Sequence, residues 1–284
     1  MEAAKKRSDW IDYAKGVGII LALIGHAFRD QMFQVYPLFE FAKDMIYSFH
    51  MPMFFVLSGI AYAFFSENKQ HSIGGFTGGK SKKILVPTLI YAALIYLVFF
   101  AAWQAGPLRQ VLSRGGYEMV SPLKYLYLLF LEESPYCNHV WFALILFACQ
   151  VIVFIIEDIY RKITGNKVFS ARALFILEAV CLVLYYLIPL KFRMVMYLKF
   201  EIMYYIFGII IVRLGMLNLR HEYSGLAVGV ILCAVLKMTN YVTFPGAAIE
   251  VIEFIGYFIG APLLILSIVL LCYKQNEERT AKQI

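Results

Sequence analysis

The chain has 284 residues, of which 61% are hydrophobic and 16% are charged, and its formal net charge is +7. A soluble globular domain carries about 25% charged residues, and the mean hydropathy of +0.71, with apolar runs along the whole length, excludes that class. Continuous apolar runs also exclude a membrane β-barrel, whose strands alternate between apolar and polar residues. The composition predicts an all-α polytopic membrane protein, and the absence of repeats predicts one integral-membrane domain over residues 1–284.

Eight apolar segments are predicted to span the membrane, since a spanning helix needs about 20 apolar residues. They are 15–34, 46–65, 84–103, 139–157, 171–189, 201–217, 224–242 and 251–273. The segment 122–131 is apolar but too short to span, so it is expected to lie at the interface or to re-enter the membrane.

The placement of Lys and Arg predicts the orientation. With the N-terminus inside, 16 of the 26 basic residues fall in inner segments and nine in outer segments. Because cytoplasmic loops carry an excess of Lys and Arg, both termini are expected in the cytoplasm. The net charge then reflects topology, and no nucleic-acid partner is expected.

The basic N-terminal segment resembles a signal peptide, but Asp12 and Lys15 interrupt its apolar core, so we expect a retained first span.

Ionisable residues inside the first span predict a functional site. Lys15 and His26 are eleven residues apart, which places them on one helical stripe, roughly 16 Å apart along the axis. Asp12 precedes Lys15 on that stripe, and Arg29 and Asp30 follow His26 at i+3 and i+4. Charges in a membrane helix are costly and indicate function. A neutral His26 suits a general base, although a buried, hydrogen-bonded histidine is the alternative.

The second span begins with the sequence FHMPMFFVLSG at residues 49–59. His50 either caps the helix at the interface or binds substrate. Pro52 suits the first helical turn. Ser58 either packs against another helix or lines a pocket.

In the later spans, glycine pairs at i and i+4 predict close helix packing. They are Gly225 with Gly229 and Gly256 with Gly260.

Polar residues at the predicted outer ends of later spans are weaker candidates. Trp141 in NHVWF suits an interfacial aromatic belt. Such a belt accounts less well for the presence of His139. Glu201 is expected to pair with Lys199 or Arg193. The five cysteines have neither a disulfide framework nor the spacing of a zinc site, so no metal is expected.

The segment GGFTGGKS at residues 74–81 fits the pattern of a phosphate-binding P-loop. A P-loop requires a preceding strand in an α/β domain, and here the segment lies between two predicted membrane spans. Nucleotide hydrolysis is therefore not expected. Glycine N–H groups beside Lys80, Lys82 and Lys83 suit phosphate binding at the inner face. The alternative is a basic anchor that only fixes topology.

Several of these segments, in this order, resemble acyltransferase family 3, the integral-membrane O-acyltransferases that modify cell-surface glycans. RSDWIDYAKGVGIILALIGH, in which ten residues separate a basic residue from His26, looks like the first-helix signature, and FHMPMFFVLSG looks like the second. KSKKILVP resembles a basic R-x-x-R element, with Lys80 and Lys83 in the arginine positions. HVWF resembles the start of the fourth helix, and YYIFG is a weaker match.

The resemblance implies a cytoplasmic acyl-CoA co-substrate, with acetyl-CoA expected, and a glycan or polysaccharide acceptor outside. His26 would deprotonate an acceptor hydroxyl, which then attacks the thioester, with Asp12 and Asp30 as further catalytic candidates. Lys15, Lys80, Lys83 and Ser58 would bind the co-substrate. The acceptor candidates are His50, His139, Trp141 and Arg29. The resemblance leaves open a homo-oligomer or a partner in polysaccharide assembly.

Two departures from the family pattern keep alternatives open. Lysine at positions 80 and 83 keeps the charge of arginine but loses its bidentate fork. Family members usually have about ten spans, and this chain is expected to have about eight. The alternatives to an active O-acyltransferase are a small polytopic transporter or flippase, for which no inverted repeat is visible, and a truncated, non-catalytic family member.

Overall fold

The computed structural model describes residues 9–28, 37–66 and 72–281, and every regular element within them is helical. The predicted all-α class is confirmed. The α-helices in chain order are α1 (Asp9–Ala27), α2 (Pro37–Tyr47), α3 (His50–Ser66), α4 (Ile73–Lys80), α5 (Val86–Gln104), α6 (Gly106–Arg114), α7 (Pro122–Leu131), α8 (Val140–Thr164), α9 (Ala171–Leu187), α10 (Arg193–Arg213), α11 (Glu222–Met238), α12 (Gly246–Ile255) and α13 (Ala261–Ala281). Single π-helical turns, Ser81–Leu85 and Gly256–Gly260, connect α4 to α5 and α12 to α13.

Five helical segments of the described residues are long and apolar enough to cross a membrane. They are Leu38–Phe64, Ile73–Gln104, Val140–Thr164, Arg193–Arg213 and Gly246–Arg279. The other three predicted spans fall on α1, α9 and α11, which have 19, 17 and 17 residues. Helix α7 has only 10 residues, in agreement with the prediction that segment 122–131 does not span.

The chain divides into two compact units. The first unit comprises residues 1–66 and 204–284, and the second comprises residues 67–203. Within the first unit, α1 packs against α2, α3 and α13, and α11 packs along α13. Within the second unit, α8 packs against α4, α5 and α7.

Glycines create the close packing of α11 in the first unit, as the sequence predicted. A Cβ atom on Gly229 would lie 2.7 Å from the backbone nitrogen of Leu264. A Cβ atom on Gly256 would lie 2.6 Å from the Cβ of Leu236. Without hydrophobic driving force between helices in lipid, such small residues allow the backbone approach that gives dispersion contact.

Tyrosine hydroxyls order the segment between α5 and α8 in the second unit. Tyr125 donates to the carbonyl oxygen of Ala92 at 3.0 Å, and Tyr96 donates to that of Val120 at 3.0 Å. Tyr136 donates to the Glu118 carbonyl at 2.8 Å. Glu118 and Val120 lie outside the helices, so two of these bonds satisfy backbone groups that no helix pairs. The bond to Ala92 anchors α7 to α5.

Candidate functional site

Helix α1 carries Lys15 and His26 on one uninterrupted helix, as the eleven-residue spacing predicted. Lys15 Nζ lies 3.3 Å from Asp12 Oδ1, and both side chains are partly exposed, at 40% and 51%. Asp12 therefore pairs with Lys15 at one end of α1. His26, the penultimate residue of the helix, lies about 21 Å from Asp12 along the helix axis. The structure thus places Asp12 beside the proposed co-substrate lysine and not beside His26.

Tyr47, which the sequence analysis did not single out, contacts His26 directly. The Tyr47 hydroxyl lies 2.8 Å from Nδ1 of His26, within hydrogen-bond distance. The two rings meet nearly at right angles, with centroids 5.5 Å apart and an interplanar angle of 78°. Because Tyr47 is the last residue of α2, the contact joins the end of α1 to the end of the next helix.

His50 completes a cluster with these two rings, and its side chain is only 1% exposed. Its ring centroid lies 4.9 Å from Tyr47 and 6.4 Å from His26. Nδ1 of His50 lies 2.9 Å from the carbonyl oxygen of Ile46. A carbonyl can only accept, so Nδ1 of His50 carries the proton and Nε2 carries the lone pair. We call these three side chains the His26–Tyr47–His50 cluster.

Glycines in α1 allow this cluster to form. A Cβ atom on Gly25 would lie 3.0 Å from Cε2 of Tyr47, so the absent side chain leaves room for the phenol ring next to His26. A Cβ atom on Gly18 would lie 2.9 Å from Phe54 of α3. In the sequence, Gly25 directly before the histidine is the signal that a bulky side chain, here Tyr47, packs closely at this position.

One turn before Tyr47, α2 presents a second polar contact within the first unit. Asp44 Oδ2 accepts hydrogen bonds from Asn240 Nδ2 at 3.0 Å and from the Tyr241 hydroxyl at 3.3 Å. A cavity of about 310 Å³ adjoins this contact and is lined by residues 239–244 and Ile249. The pair Asp44 and Tyr47 therefore places two polar groups on one face of α2.

In the second unit, Lys80 and Arg161 flank an aromatic stack. The Phe76 and Phe154 rings are parallel, with centroids 4.0 Å apart and an interplanar angle of 4°. Lys80 Nζ lies 5.3 Å from the Phe76 centroid, and the Arg161 guanidinium lies 5.6 Å from that of Phe154. Lys83 follows Lys80 by three residues, so two positive charges lie within one turn of each other along this segment. Like charges placed in this way favour the binding of an anion.

The glycine-rich segment forms α4 rather than a loop. Ser72 caps the helix by accepting from the Gly75 N–H at 3.1 Å, and the Phe76 N–H bonds to the Ser72 carbonyl at 2.9 Å. Most backbone N–H groups of this segment are consequently used inside the helix. Few of its glycine amides are therefore left for phosphate, and the lysine side chains are the groups that remain for that role.

Predicted outer residues of the second unit have mixed outcomes. His139 is exposed directly before α8, and the Trp141 ring lies 4.4 Å from that of Tyr197. The expected pairing of Glu201 is wrong: Arg193 pairs with Glu133, and Lys199 donates to the Ile188 carbonyl at 2.7 Å. Glu201 is instead buried, with Oε2 lacking a hydrogen-bond partner among the described residues. Lys199, at i−2, lies on another face of the helix.

The structure thus assembles only part of the predicted residue set. It brings His26 and His50 together, and it pairs Lys15 with Asp12. Ser58 is partly buried within α3. Arg29 and Asp30 lie outside the described residues. Within the described ranges, no group of three or more His, Cys, Asp or Glu side chains is arranged to hold a metal ion.

Comparison with known proteins identifies the family. The model of a family described as an acyltransferase domain matches residues 8–282, nearly the whole chain. The chain belongs to acyltransferase family 3. The family resemblance of the first-helix and second-helix segments is therefore confirmed, and these segments contribute the His26–Tyr47–His50 cluster.

Two curated relatives of this acyltransferase-family chain are similar over shorter stretches. Nodulation protein NolL of Sinorhizobium fredii is 31% identical over 106 residues, covering 35% of this chain and 27% of the relative. Nodulation protein NolL of Mesorhizobium japonicum is 32% identical over 87 residues, covering 30% of this chain and 23% of the relative. The matched stretch thus spans only about a quarter of each relative. No solved structure matches the chain.

Proposed function

We propose that this protein is a bacterial inner-membrane O-acyltransferase. It transfers an acetyl group from cytoplasmic acetyl-CoA to a hydroxyl group of a glycan outside the cytoplasm, and both of its termini lie in the cytoplasm. Membership of an acyltransferase family supports the reaction class. The observation that carries the proposal is the position of His26, which shares a helix with the Lys15–Asp12 pair and contacts Tyr47 at 2.8 Å.

The reaction uses a neutral imidazole as the general base. His26 accepts the proton of the acceptor hydroxyl, whose oxygen attacks the thioester carbonyl while the CoA sulfur leaves. Lys15, about 16 Å away along α1, would bind the polar part of the co-substrate. A pantetheine arm is long and thin enough to connect a phosphate site at that end with a base at the other.

The remaining candidates take roles that follow from their surroundings. Lys80 and Lys83 would bind CoA phosphates, because they are basic residues three positions apart and Lys80 lies beside the Phe76–Phe154 stack. His50 would support the cluster, since it is buried and its protonated nitrogen faces a carbonyl. His139 and Trp141 remain candidates for the acceptor, as an exposed imidazole and an aromatic surface.

The test measures acetyl groups on surface glycan by mass spectrometry in cells that lack the gene. The gene is restored as wild type, as His26→Ala, or as His221→Ala, which removes a histidine outside the cluster. We expect acetylation with wild type and His221→Ala and none with His26→Ala. Purified His26→Ala should still bind acetyl-CoA, which shows that the variant is folded.

Two results would contradict the proposal. Full acetylation with His26→Ala would show that His26 is not the general base. Equal surface acetylation in cells with and without the gene, together with purified protein that does not bind acetyl-CoA, would point to the transporter or non-catalytic alternatives.

A further inference from the structure

The hydrogen bond between His26 and Tyr47 restricts which imidazole nitrogen can act as a base. A phenol has one O–H donor, and the only hydrogen bond of the Tyr47 hydroxyl to any described residue is to Nδ1 of His26. An O–H group with no other acceptor among the described residues is satisfied when Tyr47 donates to the Nδ1 lone pair, and that direction leaves the proton of the neutral ring on Nε2. The basic nitrogen of His26 then faces Tyr47 rather than an incoming acceptor.

The three rings of the cluster differ in their access to a substrate. His50 is 1% exposed and its protonated edge is directed at a backbone carbonyl, so it cannot meet an acceptor directly. Tyr47 is 38% exposed, so an acceptor can approach its ring from outside the cluster. His26 is also exposed, but an acceptor that meets its protonated Nε2 finds a donor, and the basic Nδ1 is reached through the Tyr47 oxygen.

We propose that Tyr47 is a catalytic residue that relays the acceptor proton to His26; this inference rests on the proposed acyl transfer. The acceptor hydroxyl gives its proton to Tyr47 Oη while the Tyr47 proton moves to Nδ1 of His26. The acceptor oxygen bonds to the acyl carbon, and the carbon–sulfur bond breaks with its electron pair on sulfur. The Nδ1 proton then returns through Tyr47 to the CoA thiolate, which restores both side chains.

One cation lies beside the Tyr47 ring. Lys43 Nζ is 5.8 Å from the ring centre, and a nearby cation offsets part of the cost that desolvation adds to partial phenolate character. Other ionisable groups near Tyr47 are His26 and His50, whose rings contact it, and Asp44, one turn earlier on α2. Contact of the phenol ring with Gly25 holds the hydroxyl in place against His26.

The first measurement is the protonation of His26 in wild-type protein labelled with ¹⁵N-histidine in lipid bilayers. Nitrogen chemical shifts distinguish a protonated ring nitrogen from an unprotonated one, and the His26→Gln spectrum assigns the signals. We expect the proton on Nε2. A proton on Nδ1 would overturn the relay, because Tyr47 would then accept the hydrogen bond and Nε2 would be the base.

The second measurement is the rate of acetyl transfer from radiolabelled acetyl-CoA to endogenous acceptor in membrane vesicles. Tyr47→Phe should lower the rate by about 100-fold or more, as expected for a lost acid–base group, with the KM for acetyl-CoA unchanged. Tyr13→Phe, which removes an exposed hydroxyl from the same helix as His26, is the matched control and should retain the wild-type rate. Replacing Tyr47 with 3-fluorotyrosine, a more acidic phenol, should retain activity and move the pH–rate profile to lower pH.

The outcomes separate this inference from the proposed function. If His26→Ala is inactive while Tyr47→Phe stays within threefold of wild type, the relay is wrong and the acyltransferase proposal stands. If His26→Ala is active, the proposed function itself fails. An acetylated Tyr47 peptide trapped during turnover would also overturn the relay, since Tyr47 would then be the nucleophile.

Discussion

Gly59 of α3 lies against the backbone of Tyr205 in α10, where a Cβ atom would come within 2.0 Å of the Tyr205 carbonyl oxygen. The contact is reciprocal, since a Cβ atom on Gly208 would lie 2.1 Å from the Val56 carbonyl oxygen. Two segments that resemble family signatures, FVLSG and YYIFG, thus meet through glycine within the first unit. Their glycines have a packing role that needs no contact with substrate.

Alanine at this helix crossing should destabilise the protein. Because the obstructing atoms are backbone, they cannot rotate away, and Gly59→Ala or Gly208→Ala should each lower the free energy of unfolding by about 1–3 kcal/mol or more. SDS titration in mixed micelles measures the change. Gly78→Ala, at a helical glycine with nothing within 4 Å of its Cβ position, is the control and should be neutral or stabilising. Equal stability of Gly59→Ala and wild type would contradict the packing role.

Glu201 should be a source of instability that an apolar residue relieves. It is 4% exposed, and Oε2 has no hydrogen-bond partner among the described residues. A buried polar group without a partner costs about 1–3 kcal/mol, so Glu201→Leu should raise the apparent melting temperature. Glu250→Leu, at an exposed position, should not. A lower melting temperature for Glu201→Leu would mean that the carboxyl group is needed, and a parallel acetylation assay would then show whether the need is functional.

The ion pair between α11 and α13 should make stability depend on pH. Lys274 Nζ donates to Glu222 Oε2 at 2.5 Å. Glu222 lies two residues before the predicted seventh span, and this hydrogen bond lowers its pKa below the ordinary value of 4.5. Since the folded pKa is the lower one, the stabilisation is present above about pH 4.5 and is lost as the pH falls through the folded value.

Thermal melts of Glu222→Gln and wild type at several pH values test this dependence. The variant should melt at a lower temperature at pH 7, and the difference should shrink as the pH falls below 4.5 and through the lowered pKa of the folded wild-type carboxylate. Glu250→Gln, in an exposed position, controls for the loss of one charge. A difference that stays constant across this range would show that the ion pair contributes nothing to folding.

The paired lysines of the second unit should control co-substrate affinity. Lys80→Ala and Lys83→Ala should each weaken acetyl-CoA binding by about tenfold, the effect of one lost hydrogen bond to a charged group, and Lys80→Arg should preserve binding. Lys167→Ala removes an exposed lysine from the same unit and should leave affinity unchanged. Wild-type binding should weaken with added salt, as screened charges require. Equal affinities for Lys83→Ala and Lys167→Ala would remove Lys83 from the binding site.

The residues that could be predicted from the sequence are those related by position along one helix. Lys15, Asp12 and His26 share α1, and an eleven-residue spacing is enough to place the lysine and the histidine on one stripe. Tyr47 could not be found in this way, because its contact with His26 depends on how two helices pack. The intervening residues 28–36 have no periodic signal that fixes the packing.

Two differences between expectation and structure have local physical causes. Glu201 was expected to pair with Lys199 or Arg193, but residues at i and i+2 on a helix do not face each other, and Arg193 pairs with Glu133. The segment GGFTGGKS fits a loop pattern but forms a helix, although each glycine costs about 1 kcal/mol there. Stacking of Phe76 on Phe154 and the cap from Ser72 oppose that cost. A membrane environment adds to the effect, since it leaves unbonded backbone groups no water to bind.

Helix α1 fixes both the axial distance and the angle around the axis between Lys15 and His26, because the two residues belong to one continuous helix. A single residue inserted between them would move His26 by only about 1.5 Å along the axis but would turn it by about 100°, away from Tyr47. A four-residue insertion would lengthen the separation by about 6 Å and leave the ring only about 40° from its original direction. Natural variants of this protein should accordingly tolerate substitutions within this stretch far better than insertions or deletions, with its length held at ten intervening residues.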